Sequence, residues 1–86
     1  MDISVELTLT PLKDDYESVI KDFIKSLKKS EFKIIETPLS TQIYGNYKEL
    51  MSFLNDNIYH TFLNSESIIM NMKIIKSDRS NYVPNF

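Results

Sequence analysis

The chain has 86 residues, with 10 lysines and arginines against 12 aspartates and glutamates, which gives a formal net charge of −2. This length accommodates one small domain and no second core, and a hydrophobic fraction of 42% is typical of a globular protein rather than a disordered one. The absence of cysteine excludes disulfide frameworks and thiolate zinc sites, and a single histidine excludes a multi-histidine metal site. The near-neutral net charge does not indicate binding to nucleic acid or to an anionic membrane.

The sequence also lacks signs of membrane insertion, export and catalysis. No apolar run approaches the roughly 20 residues that a membrane-spanning helix needs, and no signal-peptide pattern opens the chain. We therefore expect a cytoplasmic protein. No acid and base pair or metal-ligand set is visible, and His60 has no paired motif, so we expect a protein that is not an enzyme and needs no cofactor.

The first half of the chain predicts a strand, a helix and two further strands. Residues 3–10 alternate apolar and polar side chains, the period-2 pattern of a strand with one buried face, which ends at the following proline. The apolar residues of 16–27 recur at helical spacing, and Asp14 is the predicted N-cap of that helix. Two short strands are predicted at 32–37 and 41–44, joined by a tight turn.

The second half predicts another helix and a last strand. Asn46 offers an N-cap with Glu49 three residues later, and the apolar stripe that follows ends near Asn64. The last strand is predicted at 67–75. The order strand, helix, strand, strand, helix, strand predicts an α+β fold, the ferredoxin-like βαββαβ sandwich, in which two helices cover one face of a four-stranded antiparallel sheet.

Two further expectations concern the backbone and the end of the chain. Gly45 is the only glycine, and we expect it to meet a backbone need, either a positive φ or a close approach. The single domain is predicted to span residues 1–77. Residues 78–86 are predicted to form a loosely ordered tail, docked by Tyr82 or Phe86.

The sheet face that the helices leave bare is the informative surface. If Leu7 points toward the helices, the even-numbered residues of the first strand lie on this open face. Its predicted members are Ser4, Glu6, Thr8, Thr10, Ile69, Asn71, Lys73 and Ile75. In the third strand either Gln42 and Tyr44 or Thr41 and Ile43 join them, and we favour Gln42 and Tyr44 because Ile43 suits the core. Because the face mixes isoleucines with polar groups, we expect a ligand or a second subunit to cover it. RNA binding is not favoured, since the face carries one aromatic residue and an acidic one.

Four short stretches of the sequence resemble the pattern of one known family. They are the strand ending in Pro11-Leu12, the stretch Pro38-Leu39-Ser40-Thr41-Gln42-Ile43-Tyr44-Gly45, the pair Lys73-Ile74 and the pair Asp78-Arg79. Together, over nearly the whole chain, they resemble the YkoF-like thiamine-binding protein family. The resemblance implies a ferredoxin-like fold, dimers that extend the sheet, and tetramers formed by stacking of open faces. It also implies binding of thiamine or of its hydroxymethylpyrimidine half.

The predicted ligand-binding residues are Glu6, Thr8, Ser40, Thr41, Tyr44, Gly45 and Asn71. Ser40, Thr41 and Gly45 follow from the resemblance, and the other four from the strand pattern. A carboxylate such as Glu6 would stabilise the thiazolium cation of thiamine. The ring of Tyr44 would stack on either ring of the ligand. The two threonines and the asparagine would hydrogen-bond its exocyclic amine.

Two functions therefore stay open. The first is a non-catalytic binding protein for thiamine or a related small heteroaromatic cation, assembled as a homodimer or homotetramer. The second is a structural or interaction protein whose open face serves only homo-oligomer assembly. In that alternative Glu6 pairs with Lys73 and Tyr44 fills a subunit interface. This alternative rests on the surface formed by Ile69, Ile75 and Tyr44. It also rests on the departure from the family pattern at Tyr44 and Asn46, where many members have an acidic residue.

Overall fold

The computed structural model describes residues 1–85, so the predicted docking of Phe86 lies outside the described residues. Its elements, in chain order, are β1 (Asp2–Pro11), α1 (Tyr16–Lys28), β2 (Lys33–Glu36), β3 (Thr41–Asn46), α2 (Tyr47–Leu63) and β4 (Ile68–Ile75). The strands form one antiparallel sheet in the order β2-β3-β1-β4. Both helices pack on one face of this sheet, which confirms the predicted α+β ferredoxin-like sandwich.

The hydrophobic core lies between the helices and the odd-numbered side chains of β1. In the register, Val5 pairs with Ile43 of β3 and with Ile74 of β4. The fully buried apolar side chains are Ile3, Val5, Leu7, Phe23, Leu27, Ile43, Leu50 and Leu54. Each contributes about 1.5–3 kcal/mol relative to an exposed position. Because strand side chains alternate, burial of this set directs the even-numbered residues of β1 to the open face, as predicted.

The two helix N-termini differ in how the predicted caps are used. Asn46 caps α2 as predicted, since its side chain accepts hydrogen bonds from Lys48 N and Glu49 N. The Asp14 prediction for α1 is wrong: the N-cap is Asp15, and its side chain makes no cap hydrogen bond. The carboxylate of Asp15 instead accepts a hydrogen bond of 2.7 Å from Ser18 Oγ. The spacing to Glu17 favours Asp14, but the helix begins after the second of the two adjacent aspartates.

A glycine is needed at position 45 because the backbone there lies close to an aromatic ring. Gly45 pairs with Ile3 on the helix-facing side of the sheet. A Cβ added there would lie 2.5 Å from Cδ1 of Phe32. No residue from 1 to 85, Gly45 included, has a positive φ. Of the two backbone needs that we expected, only the close approach is therefore present.

The bounds of β2 and β3 differ slightly from the predicted ones. β2 is shorter than predicted at both ends, and β3 is longer, since it continues to Asn46.

Neither helix within residues 1–85 is long and apolar enough to cross a membrane. Over the same residues, no three metal-ligating side chains come together in a cluster.

Candidate functional site

A carboxylate stands near the centre of the open face. Glu6 of β1 lies between Gln42 of β3 and Lys73 of β4 in the sheet register. Its Oε2 accepts a hydrogen bond of 3.0 Å from Ser40 Oγ, and Ser40 Oγ in turn accepts one of 2.8 Å from Gln42 Nε2. Its Oε1 lies 3.8 Å from Lys73 Nζ, whose side chain is 73% exposed. An ion pair this exposed is weak. The carboxylate of Glu6 is oriented by one neutral donor, Ser40 Oγ, and its negative charge remains available to a ligand.

The C-terminal segment, residues 77–82, crosses one end of the open face. Ser4 Oγ donates a hydrogen bond of 2.7 Å to Ser77 O and accepts one of 2.8 Å from Arg79 N. Lys33 Nζ of β2 donates hydrogen bonds of 3.2 Å to Ser80 O and 3.4 Å to Asn81 Oδ1. The segment covers Ser4, which is only 6% exposed although it belongs to the open face. At this end of the open face, the C-terminal segment therefore forms a wall and the sheet forms the floor.

Floor and wall together enclose an open groove of about 530 Å³. This volume lies within the range of about 300–1,000 Å³ typical of small-molecule sites. The groove mixes apolar, aromatic and polar groups. Its lining residues are Ile35, Gln42, Tyr44, Ile75, Arg79, Ser80 and Tyr82.

Electrostatics at the groove are set by two carboxylates around Tyr44. Partial burial raises the pKa of the Tyr44 phenol, and the negative charges of Asp78 and Glu6 raise it further. Hydrogen bonds from Ser80, first its side chain and then its backbone, hold the pKa of Asp78 below its usual value, with a smaller contribution from Lys33. At neutral pH Tyr44 is therefore a neutral phenol beside two anions. Such a ring favours a cation over its face.

The predicted site residues divide between the two faces of the sheet. Glu6 and Ser40 are in direct contact, and Tyr44 lines the adjoining groove. Thr8 and Asn71 pair with each other across β1 and β4 on the open face, where both are exposed. They lie farther along β1 than the groove.

The other two predicted residues lie on the helix-facing side. Thr41 pairs with Leu7, and Gly45 pairs with Ile3, so both positions belong to the buried side of β3. Thr41 is 8% exposed. The strand alternation explains the division, because residues 40, 42 and 44 cannot share a face with residues 41 and 45.

The groove also contains residues that the sequence reasoning did not assign to it. Arg79, Ser80 and Tyr82 line the wall, and Ser4 anchors it. The wall includes a turn at residues 78–80, and the sequence contains a local sign of this turn. Asp78 Oδ1 accepts a hydrogen bond of 2.8 Å from Ser80 N, the aspartate turn typical of an Asp-x-Ser pattern. The sequence gives no comparable sign of which surface the turn packs against.

Comparison with known proteins identifies the family. The model of the YKOF-related Family matches residues 2–77, and the chain belongs to that family. No curated protein matches the sequence.

Solved structures share the fold over most of their length. A protein from Streptococcus pneumoniae has 25% sequence identity and a TM-score of 0.84, covering 94% of this chain and 92% of that one. A proposed thiamine biosynthesis/salvage protein from Thermotoga maritima has 16% identity and a TM-score of 0.81, covering 90% and 85%. A domain of unknown function from Bacillus cereus has 16% identity and a TM-score of 0.75, covering 90% and 77%.

Proposed function

We propose that this protein is a non-catalytic small-molecule binding protein whose ligand is thiamine or its hydroxymethylpyrimidine moiety. The observation that carries the proposal is the half-exposed carboxylate of Glu6 beside a groove lined by Tyr44 and Tyr82. Membership of the YKOF-related family supports it. The likeness to the Thermotoga maritima structure supports the shared fold.

The charge of the site suits a flat cation. Thiamine has a fixed positive charge on its thiazolium ring, which a carboxylate stabilises more strongly when both are partly removed from water. Glu6 is 42% exposed at its side chain and is paired only at 3.8 Å with Lys73. Lys73 is free to swing aside, since surface pairs of this kind contribute about 0–1 kcal/mol. A cation on the face of Tyr44 would add about 0.5–2 kcal/mol.

The neutral polar groups suit the aminopyrimidine ring. The Gln42 amide donates to Ser40 through its nitrogen, and its oxygen can serve as an acceptor for the exocyclic amine of the ligand. Ile35 and Ile75 supply apolar surface at the sides of the groove. A few oriented polar groups in an apolar setting are typical of small-molecule sites.

A second candidate function is assembly alone, favoured by the edge strand β4. In the order β2-β3-β1-β4 its outer edge pairs with no strand of residues 1–85. Its apolar side chains are exposed on both faces, between 41% and 46% for Ile69, Met72, Ile74 and Ile75. An edge of this kind is suited to pair with that of a second copy. We propose a homodimer or homotetramer in either function.

Titration calorimetry separates the two candidates. We expect the purified protein to bind thiamine, and Glu6→Gln to weaken binding at least tenfold because the cation loses its counter-charge. Glu66→Gln is the matched control, since it removes an exposed carboxylate in the loop before β4. No heat at millimolar thiamine would exclude the binding function. A monodisperse monomer in light scattering at micromolar concentration would exclude the assembly function.

A further inference from the structure

We propose that the groove binds a ligand with two opposite charges, a heteroaromatic cation esterified with phosphate, and that Arg79 binds the phosphate. The inference rests on the proposed function, which it extends from thiamine to a thiamine phosphate ester. It concerns a residue outside the predicted site, and the chain has no other arginine.

Arg79 is fixed at the wall of the groove by two contacts. Its backbone N donates to Ser4 Oγ at 2.8 Å, and its side-chain Nε donates to Ser77 Oγ at 3.0 Å. The first contact holds the residue against β1, and the second restricts the direction of the guanidinium. The two Nη groups keep their donors, since no side-chain or backbone acceptor within residues 1–85 is hydrogen-bonded to them.

Within residues 1–85 the guanidinium of Arg79 has no ion-pair partner, in contrast to the charged groups beside it. No carboxylate of residues 1–85 lies within 4.0 Å of its guanidinium. The neighbouring Asp78 is bound by Ser80 and lies near Lys33, whose own Nζ donates to Ser80 O and Asn81 Oδ1. Arg79 is therefore a cation of this groove that no carboxylate of residues 1–85 pairs with.

Arg79 in the groove and the carboxylate of Glu6 beside it therefore present opposite charges on one sheet face. Ser4 and Glu6 point to the same side of β1 two residues apart, which is about 7 Å along a strand. Arg79 is held at Ser4, and the carboxylate of Glu6 is held at Ser40. A ligand whose ring cation faces Glu6 and Tyr44 would place its other end toward Arg79.

The chemistry of the guanidinium selects the anion. Its planar fork of donors matches phosphate oxygens in a bidentate manner and stays charged at all relevant pH values. Thiamine has a single primary hydroxyl, at the end of the side chain of its thiazolium ring. Its phosphate ester therefore combines the cation of the proposed function with an anion at a distance from it.

Calorimetry with thiamine and thiamine monophosphate tests the inference. We expect the wild-type protein to bind the monophosphate at least tenfold more tightly than thiamine. Arg79→Gln should remove this preference by weakening the monophosphate far more than thiamine, and Arg79→Lys should retain part of it. Lys76→Gln, which removes an exposed positive charge just after β4, should leave the preference intact. Inorganic phosphate should compete with the ester in the wild type and not in Arg79→Gln.

The outcomes separate the two proposals. If thiamine binds and the ester binds equally or more weakly, the phosphate inference is overturned and the proposed function stands. If Arg79→Gln weakens both ligands equally while circular dichroism shows a native fold, Arg79 shapes the groove and does not bind phosphate, which also overturns the inference. If neither compound binds the wild type, both proposals fail.

Discussion

Arg79 donates its backbone N–H to the side-chain oxygen of Ser4 across 2.8 Å, although 75 positions separate the two residues in the chain. The same oxygen donates a 2.7 Å hydrogen bond to Ser77 O. One small side chain at the start of the first strand thus holds the segment that follows the last strand. This contact creates the wall of the groove and buries a residue that the alternation alone would leave on an open surface.

We expect Ser4→Ala to loosen the C-terminal segment. The substitution leaves Ser77 O and Arg79 N without their partner, which for buried groups costs about 1–3 kcal/mol. Urea unfolding should show this loss, and amide exchange at Arg79 should accelerate. Ser52→Ala is the control, since Ser52 is exposed on α2, and it should leave exchange at Arg79 unchanged. Unchanged protection of Arg79 in Ser4→Ala would show that other contacts hold the segment.

Gly45→Ala should destabilise the fold through overpacking rather than backbone strain. The added Cβ meets the Phe32 ring at 2.5 Å, and the ring is itself packed 5.4 Å from the ring of Phe53, centroid to centroid. Overpacking of this kind costs about 1–3 kcal/mol. The free energy of unfolding from denaturant titration measures the cost.

A double-mutant cycle assigns that cost to the ring. In a Phe32→Leu background, Gly45→Ala should cost less by at least about 0.5 kcal/mol, the scale of coupling between residues in contact. Equal costs in the two backgrounds would contradict the proposed clash between Gly45 and Phe32.

The two helix caps should differ in their contributions to stability. Asn46→Ala removes the side-chain oxygen that accepts hydrogen bonds from Lys48 N and Glu49 N and should cost about 1 kcal/mol. Asp15→Ala should cost less, because the Asp15 side chain makes no cap hydrogen bond. Thermal and urea unfolding of the two variants provide the comparison. The order would be reversed if the negative charge near the start of α1 outweighed cap geometry.

Tyr44 should make stability fall at alkaline pH. Its pKa in the folded protein is raised above 10.0, first by burial and then by Asp78 and Glu6. Above pH 10 the unfolded chain therefore loses this proton before the folded chain does. Its contribution to stability is complete below pH 10 and is lost as the pH rises through the folded-state pKa.

Comparison of wild type with Tyr44→Phe isolates that effect among five tyrosines. The difference between their phenolate absorbance titrations should give a pKa for Tyr44 above the ordinary value. The alkaline loss of stability should be smaller in Tyr44→Phe. A Tyr44 that titrates at or below the ordinary value would contradict the partial burial of its phenol beside the two carboxylates.

Several features of the fold were predictable because local chemistry determines them. The alternation of 3–10 predicted which side of β1 is buried, since a strand allows only two directions for its side chains. The Asn46 cap followed from its spacing to Glu49. At Asp14 the same argument failed. The spacing to Glu17 favours Asp14, but the helix begins after Asp15, whose carboxylate contacts Ser18.

The candidate site was predictable only where it follows the strand pattern. Glu6 and Tyr44 were placed on the open face by alternation, and the register of β1 with β3 confirms their side of the sheet. The prediction of Thr41 and Gly45 rests on the resemblance of a contiguous motif to the family pattern. A motif that is contiguous in sequence divides between two faces once it becomes a strand, so these two residues lie on the side of the helices.

By itself the sequence determined the order of the elements, the buried stripe of each and the choice of open face, because these depend on periods of two or 3.6 residues along the chain. Only the tertiary structure decided that residues 77–82 close one end of that face and bring Arg79 beside Ser4. The reason is physical: a hydrogen bond between residues 75 positions apart depends on the register of three strands and leaves no periodic trace in the sequence.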